Sequence, residues 1–288
     1  ALRLIRNGVV VNEPISGMPD EVGGGGGGLM SVVIHPDFED NRLVYFSYTK
    51  NAARGQRAVG LGRGRLDGMA LRDVSELFSA EEPGGGPAPG LPLLFGADGY
   101  LYFGVGGAND EIAQRGDSVY VKVLRFNDDG TVPEDNPFFE QGGVTAEIWS
   151  LGHRNPLGIA FDADGRLWNQ EMGPRHGDEL NLVKPRLNYG YPLVSNGDHY
   201  SGKEIPDHDT RPEFAAPAAW WTPVISPGHL MTYSGDAFPE WRGDLFAAGL
   251  SSRAIVRIEV DGETAAEVER FPMGSRIRSV VQGPKGNL

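Results

Sequence analysis

Four segments of the chain repeat one grammar: a β-run, a turn built on Pro, Gly and Asp, a second β-run, then a polar connection. They are "LMSVVIHPDFEDNRLVYFSYT", "LPLLFGADGYLYFGVGG", "NPLGIAFDADGRLWNQEMG" and "SPGHLMTYSGDAFPEWRGDLFAAGL". A fifth copy, "IRSVVQGPKGNL", opens at Ile277. Measured at their turns the copies recur about every 50 to 70 residues, the spacing of propeller repeats and longer than that of solenoids. In Asp98-Gly99 and Asp164-Gly165 the glycine supplies the positive φ of a tight hairpin and the aspartate can bond nearby backbone. Further β-runs, "AVGLGRGRLDG", "VYVKVLRFNDDG" and "AIVRIEVDG", bring the count to roughly four strands per repeat, that of a propeller blade.

The expectation is therefore an all-β chain, residues 1–288 forming one domain, a six-bladed β-propeller with four-stranded antiparallel blades. "ALRLIRNGVVVNEP" reads like the later strands of a blade and "IRSVVQGPKGNL" like the first strand of one, so the first and last blades are expected to be incomplete. Gly at 42 and Pro at 21 of 288 residues fit many short strands and tight turns. Long helices are not evident. "GDELNLVKPRLNYGYP" lacks a 3.6-residue period and is broken by Pro185, so an ordered loop with one short strand is expected there.

A formal net charge of -13 argues against nucleic acid or an anionic membrane surface as partner, and is compatible with bound calcium. With no cysteine there is neither a disulfide framework nor a thiolate nucleophile. No apolar stretch approaches the roughly 20 residues of a bilayer span. The six glycines Gly23 to Gly28 lack the preceding strand, following helix and Lys-Ser/Thr of a phosphate cradle, and read as a connection between blades.

Four motifs stand out: His153-Arg154-Asn155-Pro156; Gly173-Pro174 followed by Asp178-Glu179; Asn188-Tyr189-Gly190-Tyr191-Pro192; and Arg276-Ile277-Arg278. Together they resemble the soluble aldose sugar dehydrogenases that use pyrroloquinoline quinone (PQQ), the glucose/sorbosone dehydrogenase family. The similarity covers nearly the whole chain and is most specific over residues 147 to 193. It implies a six-bladed propeller with the cofactor at one mouth, and oxidation of an aldose at its C1 hydroxyl to a lactone. It also implies PQQ and calcium as cofactors, an external electron acceptor, and a periplasmic or secreted location with any export signal already removed.

On that resemblance Arg154, Asn155, Arg276 and Arg278 bind the quinone, whose carboxylates suit guanidinium forks. The carbonyls of Gly173 and Pro174 hold calcium, which accepts main-chain oxygen. The plain alternatives are that Arg276 and Arg278 share a strand face and pair with acidic neighbours, and that Asp178-Glu179 caps a turn over Gly177.

The sequence also departs from the family. Ala88 stands where the family has its general-base histidine, and the acid that orients that base falls near Gly106 or Gly107. Leu157, Met172 and Ser251 replace polar residues found in other members. His176, in the Gly-Pro loop, is a candidate substitute base, while His153 reads as a packing residue beneath the site. Trp220-Trp221 and Tyr189-x-Tyr191 could offer a sugar platform, although adjacent strand residues point to opposite faces. Three functions stay open: the quinone-dependent dehydrogenase, a catalytically impaired propeller that binds a ligand or partner at the same mouth, and, by fold analogy alone, a calcium-dependent lactonase.

Overall fold

A computed structural model describes residues 1–20, 22, 28–51, 57–80, 89–107 and 110–288. A short hairpin, β1 (Ile5–Arg6) and β2 (Val9–Val10), precedes four antiparallel four-stranded sheets. The first sheet is β3 (Leu29–Ile34), β4 (Leu43–Asn51), β5 (Arg57–Asp67) and β6 (Ala70–Ser79). The second is β7 (Leu93–Phe95), β8 (Leu101–Val105), β9 (Lys122–Phe126) and β10 (Ile148–Leu151). The third is β11 (Pro156–Phe161), β12 (Leu167–Glu171), β13 (Asp178–Val183) and β14 (Ala219–Trp221). The fourth is β15 (Pro227–Thr232), β16 (Leu245–Gly249), β17 (Ala254–Asp261) and β18 (Thr264–Pro272). Each repeated segment supplies the first two strands of one sheet. The one α-helix among the described residues is the four-residue Phe38–Asn41.

The turns form as their chemistry requires. Gly99 and Gly165 hold φ of +83° and +79°. Asp98 Oδ1 accepts the Tyr100 N–H at 3.2 Å. In the other hairpin the bonding aspartate is Asp162 and not Asp164: its Oδ1 accepts the N–H groups of Asp164 and Arg166 at 3.0 and 2.9 Å.

Side-chain alternation along each strand builds the seams between sheets. On β4, Val44, Phe46 and Tyr48 pack with Ile15 and Leu71, while Tyr45 faces the second sheet with Leu93, Phe103 and Phe126. Burying each such ring contributes about 1.5–3 kcal/mol. The leading strands pack β3 on β7, β7 on β11 and β11 on β15. That is an arc of four sheets and not a closed ring; six blades are not present among the described residues.

One expected strand is absent. Residues 277–288 follow irregular backbone, bonded singly to the fourth sheet: His229 N–H to Arg278 O at 3.0 Å, Ile277 N–H to Gly249 O at 3.2 Å, and the Tyr233 hydroxyl to Gly286 O at 2.6 Å. A strand needs a continuous ladder, and no neighbour offers one there. No helix among the described residues is long and apolar enough to cross a membrane.

Candidate functional site

The site grows from the hairpin of β11 and β12. Arg154 and Asn155 lead into β11, and the Gly173-Pro174 loop leaves the end of β12 beside them. Arg154 is 7% exposed. Its Nη1 donates to the carbonyls of Met172 and Gly173 at 2.7 and 2.5 Å, and its Nε is buried without a partner. The strand geometry thus brings together two motifs that lie apart in the sequence. At Gly173 a Cβ would collide with the carbonyls of His176 and Gly177, so the loop closes only around glycine.

Two acidic side chains secure this corner from opposite faces of β13. Asp178 Oδ1 accepts the Gly173 N–H at 3.1 Å and Oδ2 the Ser226 N–H at 2.7 Å. Burial pushes the Asp178 carboxyl up to about 6, even with those donors. Glu179 turns the other way, 3.4 Å from His208 Nε2. Burial raises its carboxyl, opposed by His208 and reinforced by the nearby Glu171. The expected capped turn is therefore an inward anchor.

Beneath Arg154 lies a buried polar cluster. Glu171 Oε2 accepts the Arg154 N–H at 3.1 Å and sits 3.4 Å from His153 Nδ1, whose other nitrogen meets Ser150 Oγ at 2.8 Å. Burial alone would raise Glu171, but His153 and the N–H donors of Arg154 and Asn169 hold it below the ordinary carboxylate range. His153 is fully buried and stacks on Tyr189 at 4.5 Å, the packing role expected of it.

Asn155 works as a seam. Its Oδ1 accepts the Gly90 N–H at 2.7 Å, joining the third sheet to the approach to β7. A Cβ on Gly106 would fall on Asn155 Oδ1 and lie 2.7 Å from Gly90 N, so this position is closed to an acid. Ala88 lies outside the described residues.

Arg276 and Arg278 are exposed and lie on no strand. Neither forms an ion pair among the described residues, so no acidic neighbour occupies them there. Arg278, Leu157 and His229 border a cavity of about 490 Å³ between β3, β7, β11 and β15. That volume is in the range of small-molecule sites. Met172 contributes its carbonyl to Arg154, and Ser251 is spent on Val224 O at 3.1 Å.

His176 is exposed, held at φ +73°, and has no polar side-chain partner among the described residues. Trp221 is 6% exposed and donates Nε1 to Glu267, while Trp220 points outward at 56%. Tyr189 and Tyr191 are both buried, so they are not an open sugar platform.

A further polar group stands beside Arg154. The Tyr191 hydroxyl donates to Asp110, and Asp110 Oδ2 lies 3.4 Å from His199 Nδ1. The Arg154 guanidinium stands over the rings of Tyr191 and Tyr200 at 5.7 and 5.8 Å. These residues come from separate loops with no shared periodicity; the only local signal is that Tyr191 belongs to the Asn-Tyr-Gly-Tyr-Pro motif and His199 comes after it.

Similar proteins were found by sequence and by structure. The family model for Glucose / Sorbosone dehydrogenase matches residues 1–288. The chain is 36% identical to the aldose sugar dehydrogenase YliI of Escherichia coli, over 100% of this chain and 80% of that protein. It is 26% identical to quinoprotein glucose dehydrogenase B of Acinetobacter calcoaceticus, over 92% and 72%. The apo-form soluble aldose sugar dehydrogenase of Escherichia coli superposes with a TM-score of 0.90 at 34% identity, covering 99% of this chain and 84% of that one. The PQQ-bound form of an aldose sugar dehydrogenase from Streptomyces coelicolor superposes at 0.74 with 29% identity, covering 92% and 73%.

Proposed function

The chain belongs to the glucose/sorbosone dehydrogenase family, and on that premise we propose that it oxidises the C1 hydroxyl of aldose sugars to lactones with PQQ and calcium, passing the electrons to an external acceptor. The observation that carries the reading is the 2.5 Å contact between Arg154 and the Gly173 carbonyl, which joins the quinone-binding and calcium-binding motifs at one corner. Escherichia coli YliI and quinoprotein glucose dehydrogenase B, each matched over most of its length, are named as dehydrogenases, which favours this reading over the binding-module alternative.

The residues present fit the two groups. A tricarboxylate needs cations, and the guanidinium groups of Arg154, Arg276 and Arg278 have no carboxylate partner among the described residues. Calcium needs oxygen, which the carbonyls of Gly173 and Pro174 supply; a carbonyl oxygen has two lone pairs, so Gly173 can serve both Arg154 and a metal. When bound, the quinone supplies an electrophilic carbonyl that accepts a hydride.

The chain's own residues then have separable tasks. Arg154, Arg276 and Arg278 bind and orient the carboxylates, and Asn155 fixes the sheet-to-sheet seam that sets Arg154 in place. Asp178 anchors Gly173, so the main-chain oxygens are pre-positioned before any ligand arrives. In this reading the four sheets are blades of a six-bladed propeller, β1–β2 and the segment after β18 belong to two further blades, and the periplasmic or secreted location stays with it.

Dye-coupled assay of the purified protein tests the proposal. Glucose or another aldose should reduce the dye when PQQ and calcium are both supplied. Failure to take up the quinone at all would remove the proposed function.

A further inference from the structure

We propose that His199, oriented by Asp110, is the proton acceptor of this site; the inference rests on the quinone-dependent reading above. Ala88 cannot accept a proton, and neither Gly106 nor Gly107, where the resemblance looks for the orienting acid, carries one; at Gly106 a Cβ would also fall on Asn155 Oδ1. The pair Asp110–His199 supplies both functions from other loops. Asp110 Oδ2 faces Nδ1 at 3.4 Å, which favours the tautomer with the proton on Nδ1 and leaves Nε2 as acceptor. Such contacts are often long before substrate binds. Asp110 is itself held by the Tyr191 hydroxyl.

The turn bearing His199 is tied to the Gly173-Pro174 loop. Arg175, next after Pro174, exchanges both backbone hydrogen bonds with Asp198, at 2.7 and 3.0 Å. His199 is the next residue, and its turn is closed by His199 N–H to Lys203 O at 3.0 Å and Gly202 N–H to His199 O at 2.8 Å. Arg154 contacts the Gly173 carbonyl at one end and stands over Tyr191 and Tyr200 at the other. His199 therefore sits between the residue bridged to the loop assigned to the metal and the tyrosine under Arg154.

The other five histidines lack this combination. His153 and His208 are buried, and His229 is half-buried, with Nδ1 on Val280 O at 2.7 Å, and faces the cavity between the leading strands with no carboxylate beside it among the described residues. His35 has Asp37 and Asp128 at 3.9 and 3.7 Å from its two nitrogens, but it stacks on Tyr45 and meets Phe95 edge-on at the seam of the first and second sheets, away from this corner. His176 is exposed but faces no carboxylate among the described residues. His199 keeps 23% side-chain exposure and a carboxylate on one nitrogen.

In the step proposed, the sugar O–H bond breaks and its proton goes to His199 Nε2 as the C1=O bond forms. The C1–H bond breaks with its electron pair, and the hydride goes to the bound quinone, the oxidant class named above. The sugar loses two electrons and the quinone gains two. Asp110 is the charged group on the His199 ring; Tyr191 reaches it through Asp110 and Arg154 stands over Tyr191 and Tyr200, while Glu111 adjoins Asp110 in the chain, Arg175 and His176 lie on the bridged loop, and Asp198, Tyr200, Lys203 and Glu204 lie on its own turn.

The test compares wild type, H199Q and D110N, each loaded with PQQ and calcium. H199Q should lose about 10²–10⁴-fold in kcat, lose the acid limb of the kcat/KM pH profile, and bind the quinone within about twofold of wild type by absorbance titration. D110N should lose less and shift that limb. On ¹⁵N-histidine-labelled wild type, the ring signals that D110N moves should also shift on adding glucono-lactone, a readout that does not depend on H199Q folding. Turnover by H199Q within about threefold of wild type, or ring signals indifferent to the lactone, would overturn the role of His199 and leave the quinone reading intact. Wild type that takes up no quinone would overturn both.

Discussion

Arg154 reaches across the mouth of the β11–β12 hairpin and donates Nη1 to the main-chain carbonyl of Gly173 at 2.5 Å. The same nitrogen serves Met172 O at 2.7 Å. One guanidinium thus ties the strand that opens the third sheet to the loop proposed to hold the metal.

Arg154→Lys should weaken this corner without unfolding the chain. Lysine keeps the charge but loses the planar guanidinium, whose Nη1 serves two main-chain acceptors while its other nitrogens stay open to a carboxylate. Hydrogen bonds to charged groups are worth about 1.5–3 kcal/mol, so PQQ affinity should fall roughly 10- to 100-fold in a spectroscopic titration at fixed calcium.

Arg276→Ala and Arg278→Ala separate binding from stability. Both side chains are exposed and unpaired among the described residues, so unfolding free energy should change by no more than about 0.5 kcal/mol. Quinone affinity should nevertheless fall in each, and further in the double variant. Equal loss of thermal stability and affinity would return them to a structural role.

His153→Ala should be among the most destabilising substitutions in the chain. It strips Glu171, 2% exposed, of the imidazole beside it, and leaving a buried charge without its partner costs about 3–5 kcal/mol. Because the Glu171 carboxyl is depressed in the fold, its stabilisation is present above the ordinary carboxylate range and is lost as pH falls through the depressed value. Denaturant midpoints for both proteins across that range would show the difference.

Asp178 behaves with the opposite sign. Its carboxyl is raised to about 6 by burial, so its contribution is full below the unfolded value and is lost as pH rises through about 6, by up to about 3 kcal/mol. Asp178→Asn does not titrate. Its stability relative to wild type should therefore be worse at pH 4 than at pH 7, measured by chemical denaturation.

Gly106→Asp places an acid at one of the two glycines, Gly106 and Gly107, where the family resemblance would look for one. The added Cβ meets Asn155 Oδ1 and the Gly90 backbone, and overpacking of this kind costs typically about 1–3 kcal/mol. The variant should melt lower and gain no turnover. A gain in activity would show that the seam opens readily.

What was legible in the sequence was mostly local. The Asp-Gly hairpins at 98–99 and 164–165 and the strand pairs around them formed as read, because turn chemistry and alternation act within a few residues. Even there the bonding carboxylate proved to be Asp162, since either aspartate of "DADG" could satisfy the turn. The corner joining Arg154 to Gly173 was also within reach, because one hairpin carries both. The strand expected at Ile277 failed because strand formation depends on a neighbour the pattern cannot supply. Asp110 and His199 were not legible: they meet only through the packing of two loops.

The most direct test of the central claim is a single-turnover reductive titration of the protein reconstituted with PQQ and calcium, mixed anaerobically with glucose or another aldose. The account predicts that the bound quinone is bleached to its two-electron-reduced spectrum, with one lactone formed per quinone. A protein that binds the quinone, yet shows no spectral change and no lactone with any aldose, would contradict it.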